Sequence, residues 1–299
     1  MGWGVLRRTP QTPCSLRRNE FGFVRRPLLG QPLADVSGLR RYDVTVKPLH
    51  LALSGGGAHA ACHAGVLRAL AREGVPVAGI AGVSGGALVA AAWAGGADLE
   101  KLVEQASRLH PWTWVRGWGG GLLSGTRLGM MIDEFLPVAS FDGLRVPVRV
   151  LATDVDTGHP VVLSEGDVRD AVRASCSFPG VFPPMVLNGR RLYDGGISEV
   201  IPVRLAREMA GDGGVVLAVD CNSGTRWPAA DSFVALALRA GLTLLRGRTR
   251  SELQGADLVI APAMGDSGWM QPRKIPSFFE AGDEALMEAV PEVRRILEE

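Results

Sequence analysis

An uncharged run from Val75 to Ala97 sets the first constraint on this chain. It is long enough to raise the question of a membrane span. It is, however, rich in Gly and Ala, contains Pro76 and holds few Leu, Ile or Phe, which disfavours that reading. The run divides better into a buried strand at Val77–Val83, a tight turn, and a helix opening at Ala87–Trp93. The turn carries Gly82-Val83-Ser84-Gly85-Gly86, the G-x-S-x-G spacing in which small neighbours permit a sharp strand-to-helix turn and leave a serine hydroxyl exposed. In a Gly/Ala-rich chain that pentapeptide also arises by chance, so its meaning depends on the surrounding chain.

The same alternation recurs upstream. Val46–Leu53 reads as a buried strand, Ser54-Gly55-Gly56-Gly57 as a glycine-rich loop, and Ala61–Arg72 as a helix. Further helices are expected at Leu99–Arg108, Leu128–Leu136, Val168–Ala174, Pro202–Met209, Phe233–Arg246 and Ala285–Leu297. Strands are expected at Pro147–Asp154, Val161–Ser164, Val215–Asp220 and Leu258–Ala261, with Leu192–Gly196 ending in a turn. Strands alternating with helices predict a mainly parallel sheet covered on both faces. The stretch His110–Gly125 sets Trp112, Trp114 and Trp118 among glycines and reads either as a lid or acyl-binding loop or as a loop with packed tryptophans.

Residues 1–45 are different in kind. Paired arginines (Arg7-Arg8, Arg17-Arg18, Arg25-Arg26, Arg40-Arg41), several prolines and no periodicity read as a basic, disordered extension, with the folded domain at 46–299. No sustained apolar segment follows the first arginines, so no secretory signal is visible, and Leu6 breaks the myristoylation pattern. Over 299 residues the chain is 46% apolar and 21% charged with a net charge of +1, which suits a globular domain with a sizeable core and gives no pointer to nucleic acid. Cys14, Cys62, Cys176 and Cys221 are scattered without metal-binding spacing. They fit a reducing, cytoplasmic setting, and Cys62 and Cys176 read as buried spectators.

A serine nucleophile needs a base, and the tetrahedral intermediate it forms needs hydrogen-bond donors. The five histidines stand at 50, 59, 63, 110 and 159, all upstream of the last candidate acid, which argues against an ordinary Ser–acid–His order. Asp194, in Tyr193-Asp194-Gly195-Gly196, is the best carboxylate to act as base directly; by itself it also fits a plain turn aspartate. Gly55-Gly56-Gly57 at a helix N-terminus offers consecutive N–H groups to an anion. The same glycines, as Gly55-x-Gly57-x-x-Ala60 with Glu73 downstream, also match a dinucleotide-binding pattern.

Taken together, the glycine-rich loop, G-x-S-x-G and the distant Asp-Gly-Gly resemble the patatin-like phospholipases, in particular their bacterial single-domain group. Two blocks between them extend the likeness. Ala152-Thr153-Asp154-Val155-Asp156-Thr157-Gly158 is similar to the family's A-T-D-x-x-T-G. Arg173-Ala174-Ser175-Cys176-Ser177-Phe178-Pro179-Gly180-Val181-Phe182-Pro183-Pro184 is similar to its R-A-S-x-S-x-P-G-x-F-x-P. The motif-bearing part spans about 50–207. The resemblance implies a three-layer α/β/α sandwich and a Ser–Asp dyad: Ser84 as nucleophile, Asp194 as base, Gly55, Gly56 and Gly57 as the oxyanion loop, Gly82 and Gly86 framing the nucleophile, and Gly195 and Gly196 turning the acid. The implied substrate is a phospholipid or acylglycerol ester met in transient contact with a membrane surface, with no cofactor and no metal. The alternative within the family is a catalytically weak, lipid-binding or regulatory member. Two departures stand out. His59-Ala60 replaces the family's Arg or Lys followed by Gly, and Glu199-Val200 replaces an Asn-Pro. His59 is expected to be partly protonated near neutrality, Ala60 to tolerate an ordinary helical φ, and His63 to be structural.

Overall fold

A computed structural model of the chain describes residues 46–115, 121–223, 225, 233–265, 267–268 and 270–299, the side chains of 111, 112, 233–235, 237 and 238 excepted. The expected extension at 1–45 and Trp118 lie outside these residues, as does the side chain of Trp112.

Among the described residues, eight strands form one sheet. They are β1 (Leu49–Leu53), β2 (Val77–Val83), β3 (Val148–Asp154), β4 (Pro160–Leu163), β5 (Met185–Leu187), β6 (Arg190–Asp194), β7 (Val215–Val219) and β8 (Leu258–Ile260). Their order is β5-β6-β3-β2-β1-β7-β8, with β4 also pairing β3. The five strands from β3 to β8 along this path are parallel, while β4 and β6 each pair antiparallel with β3, and β5 pairs antiparallel with β6. β1 and β7 are buried along their whole length, as the central strands of a sheet covered on both faces must be. The short β5 was not predicted: three residues closing a hairpin through Asn188-Gly189 carry too little periodicity to be read.

The helices are α1 (Ala61–Arg72), α2 (Gly85–Ala94), α3 (Leu99–Ser107), α4 (Gly125–Phe135), α5 (Val168–Ser175), α6 (Val203–Ala210), α7 (Phe233–Glu252) and α8 (Ile275–Glu298). One face of the sheet packs against α1, α2 and α8 through Leu51, Leu67, Ile80, Ala90, Leu217 and Leu286, all buried. The other face packs against α6 through Ala52, Val83, Val216, Leu205 and Ala206. This is the expected three-layer α/β/α arrangement.

α8 begins ten residues earlier than the periodicity predicts, because Pro276 sits in its first turn, where a missing N–H costs nothing. It lies directly on α1. A Cβ on Gly65 would stand 1.9 Å from the Phe279 carbonyl oxygen, and one on Gly282 1.9 Å from that of Cys62. Only glycine allows the two backbones so close. Asp283, buried on α8, binds Arg68 Nε and Arg72 Nη2 of α1, each at 3.0 Å.

Candidate active site

Strand register brings the site together. Leu53 of β1 is level with Gly82 of β2 and with Val219 of β7. Val83 is level with Leu151 of β3, and Ala152 faces Asp194 of β6. The segments after β1, β2 and β7 therefore leave the sheet at one edge, the carboxyl edge of the parallel strands, where ligands bind in such sheets. The antiparallel β6 delivers Asp194 to the same place.

Ser84 sits between β2 and α2 with φ 52° and ψ −125°, one of two non-glycine residues with positive φ among the described residues. Such a backbone costs about 1–3 kcal/mol and persists only where its surroundings hold it. Three contacts do so. A Cβ on Gly82 would lie 2.7 Å from Ala87 Cα, and one on Gly86 2.5 Å from the Leu53 carbonyl oxygen, so only glycine fits on either side. The third contact is Ser175, which is fully buried: its Oγ accepts the Ser84 N–H at 2.8 Å and donates to the Leu151 carbonyl at 2.6 Å.

Asp194 is 3% exposed. Its Oδ1 accepts the Gly196 N–H at 2.8 Å, and Thr153 Oγ1 donates to its carbonyl at 2.9 Å. Gly195 lies so close under β3 that a Cβ would stand 2.1 Å from the Leu151 oxygen. Burial raises the carboxyl pKa to about 6, against the opposing pull of the Ser84 hydroxyl and the Gly196 N–H. A carboxylate poised near 6 suits proton transfer at neutral pH.

The Gly55–Gly57 loop passes beside Ser84, and a Cβ on Gly55 would be 3.3 Å from Ser84 Cβ. Gly57 has φ 56°. The loop, Ser84 and Asp194 all line one cavity of about 290 Å³, whose other walls are mainly apolar. Those walls come from Leu88 on α2, Leu102 on α3, Met131 on α4, Leu245 on α7 and Ile275 on α8, with Trp114 from the tryptophan loop.

The dinucleotide alternative fails on geometry. Glu73 caps the far end of α1, twelve residues or roughly 18 Å of helix from the loop, and binds Arg294 at 2.9 Å. Among the five histidines, His59 lines the cavity; its Nε2 faces Ser267 Oγ at 3.2 Å, and its ring stands edge-on to Phe278. It is 1% exposed, and burial lowers its pKa, so it is an uncharged group here and not the partly protonated one expected. Ala60 has φ −59°, the ordinary helical value anticipated. His63 binds the Ser54 carbonyl through Nε2 at 2.9 Å. Glu199-Val200 also acquires a position: the Val200 carbonyl accepts the Gly55 N–H at 3.0 Å. Glu252 Oε2 in turn accepts the N–H groups of Val200 and Ile201 at 3.0 and 2.9 Å.

Sequence reasoning missed Ser175, Asn222 and Cys176. Cys176, expected as a buried spectator, lines the cavity with its thiol beside the Ser84 hydroxyl. Burial and the neighbouring Asp194 charge raise its pKa, which keeps the thiol protonated. Ser175 and Cys176 were open to discovery only through the R-A-S-x-S block; Asn222 carried no motif signal.

The fold and site define a layered α/β protein with a serine on a strained strand-to-helix turn, facing a buried carboxylate at the sheet's carboxyl edge. The patatin-like phospholipase family profile matches residues 51–207, and the chain belongs to that family. Among its relatives, an uncharacterized NTE family protein of Mycobacterium tuberculosis is 32% identical over 187 residues, covering 61% of this chain and 51% of the relative. The patatin-like phospholipase domain-containing protein 7 of Mus musculus is 31% identical over 205 residues, covering 64% of this chain and 15% of the relative. The chain thus spans about half the length of the mycobacterial relative and a small part of the mouse one. The solved structure of human GIVD cytosolic phospholipase A2 shares the fold at a TM-score of 0.52 and 10% identity, over 85% of this chain and 60% of that one.

Proposed function

We propose that this chain is a serine acyl hydrolase that releases fatty acids from phospholipid or acylglycerol esters. The observation that carries the reading is the placement of Ser84, Asp194 and the Gly55–Gly57 loop around one mainly apolar cavity. In this reaction the Asp194 carboxylate takes the Ser84 proton as Oγ attacks the ester carbonyl carbon. The carbonyl oxygen becomes an oxyanion, received by backbone N–H groups of the glycine loop. Protonated Asp194 then passes its proton to the departing alcohol oxygen, leaving an acyl-Ser84 ester. Water, deprotonated by Asp194, attacks that ester; the fatty acid leaves and Ser84 recovers its proton. The apolar walls take the acyl chain, consistent with a family of lipid hydrolases and with phospholipase relatives.

Contact with the lipid surface is transient in this reading; among the described residues no helix is long and apolar enough to cross a membrane. The test is release of fatty acid from a panel of phospholipids and acylglycerols by wild type, Ser84→Ala and Asp194→Ala. The reading expects hydrolysis by wild type alone. Hydrolysis retained by Ser84→Ala would overturn it. Lipid binding without hydrolysis by wild type would favour the regulatory alternative.

A further inference from the structure

The amide of Asn222, just beyond β7, lies against the glycine loop. Its Nδ2 donates to the Gly55 carbonyl at 2.6 Å. The nitrogen end must face that carbonyl, because the oxygen end would set two acceptors together. The Cys221 thiol donates to the same carbonyl at 3.4 Å. Ser54 Oγ fixes this segment by accepting the Cys221 N–H at 3.0 Å and donating to its sulfur at 3.2 Å. Asn222 itself is turned into place by Asp220 Oδ1, which accepts its N–H at 2.9 Å.

The consequence falls on the next peptide unit. In a trans peptide the C=O of one residue and the N–H of the following residue point in opposite directions. The Gly55 carbonyl is held on the Cys221–Asn222 side, so the Gly56 N–H is aimed away from it, and Gly56 lines the cavity beside Ser84. The Gly55 N–H is meanwhile held by the Val200 carbonyl at 3.0 Å, a second hold on this residue. Position 56 admits only glycine here, because a Cβ would stand 2.3 Å from Cys221 Sγ and 3.1 Å from Asn222 Oδ1.

We propose that Asn222 is a positioning residue: by gripping the Gly55 carbonyl it keeps the Gly56 N–H directed at the acyl oxyanion. The inference rests on the acyl-transfer reading of Ser84. Because the bond acts through the peptide and not on the substrate, its loss lowers the rate of chemistry and spares ground-state binding.

The experiment compares wild type, Ser84→Ala, Asn222→Ala and the isosteric Asn222→Asp, with thermal unfolding to confirm folding. Each is assayed on one fatty acyl ester. Each is also titrated with a lipid trifluoromethyl ketone, which forms a tetrahedral adduct, and with the matching unreactive ether lipid. Asn222→Ala is expected to lose about 10- to 100-fold in kcat with KM within about twofold of wild type, somewhat less than removal of a direct oxyanion donor. Ketone affinity should fall by the same factor and ether affinity should hold. Asn222→Asp, which sets a carboxylate against the Gly55 carbonyl, should be no better than Asn222→Ala. Wild-type kcat in Asn222→Asp, or a raised KM at unchanged kcat, would overturn the proposal in favour of packing or of direct substrate contact. Should the aspartate variant not fold, Asn222→Ala decides alone: equal loss of ketone and ether affinity overturns it. A wild type without esterase activity would sink the hydrolase reading and this inference with it. An active wild type with unaffected Asn222 variants would sink this inference alone.

Discussion

The proposed acyl transfer turns on one carboxyl group, that of Asp194. Burial favours its neutral form, while its role as base requires the charged one. Activity should therefore fall as pH drops through about 6, the value to which burial raises its pKa, and a kcat/KM profile between pH 4.5 and 9 reads this directly. The stability sign is opposite. The folded-state pKa lies above the ordinary value of 3.8, so folding disfavours ionisation: stability is full below 3.8 and is lost as pH rises through about 6. The loss amounts to roughly 3 kcal/mol and is complete at neutral pH. Asp194→Asn keeps an oxygen for the Gly196 N–H and removes the charge. It should lose about 10²- to 10⁴-fold in kcat. It should also unfold at a higher temperature than wild type at pH 8, with no such gain at pH 3.5, as calorimetry at the two pH values would show. Equal unfolding temperatures of the two proteins at pH 8 would mean that the carboxylate is not disfavoured by burial.

The β2–turn–α2 element was legible because its constraints are local. Gly82 and Gly86 stand where a Cβ would strike Ala87 and the Leu53 carbonyl, and that need is written in the pentapeptide itself. Gly86→Ala should destabilise by about 2–4 kcal/mol through this backbone clash, measured by denaturant unfolding. Gly158→Ala is its control: that site has φ 71° but nothing within 4 Å of a Cβ, so only the smaller strain of a left-handed residue is expected. Asp194 was legible as a candidate base in its Asp-Gly-Gly turn, but only the family likeness favoured that reading over a plain turn aspartate. Its approach to Ser84 depends on the Ala152–Asp194 pairing of β3 with β6, and no local pattern reports a long-range register. The contacts of Ser175 and Asn222 were illegible for the same reason, since each acts on a backbone group contributed by a distant strand end. The charge of His59 was misjudged because its burial comes from α8, through Phe278, and from Ser267.

At the scale of the whole molecule, the family match ends before the fold is complete. Residues beyond 207 supply β7, which pairs along all of β1, and α8, whose Gly282 meets Gly65 of α1 backbone to backbone. A fragment of residues 46–207 should therefore lack a cooperative unfolding transition, while 46–299 retains one; both follow from thermal melts monitored by circular dichroism. The cavity is likewise a property of the assembled layers, since α2, α3, α4, α7 and α8 each contribute a wall. Its apolar lining predicts that kcat/KM rises with acyl length by about 0.8 kcal/mol per buried methylene, roughly fourfold each, until the cavity is filled. A flat dependence from butyrate to laurate esters would mean that the acyl chain does not enter it. The alternation of strands and helices made the layers predictable from sequence; the convergence of several helices on one cavity was not, because it depends on how those layers dock.

The most direct test of the central claim is covalent. The protein is treated with a lipid fluorophosphonate at pH 8 and at pH 5, and the adduct is located by peptide mass spectrometry. One adduct is expected, on Ser84, formed faster at pH 8 than at pH 5, greatly slowed in Asp194→Asn, and accompanied by loss of fatty acid release. An adduct on another residue, or fatty acid release that survives full labelling of Ser84, would contradict it.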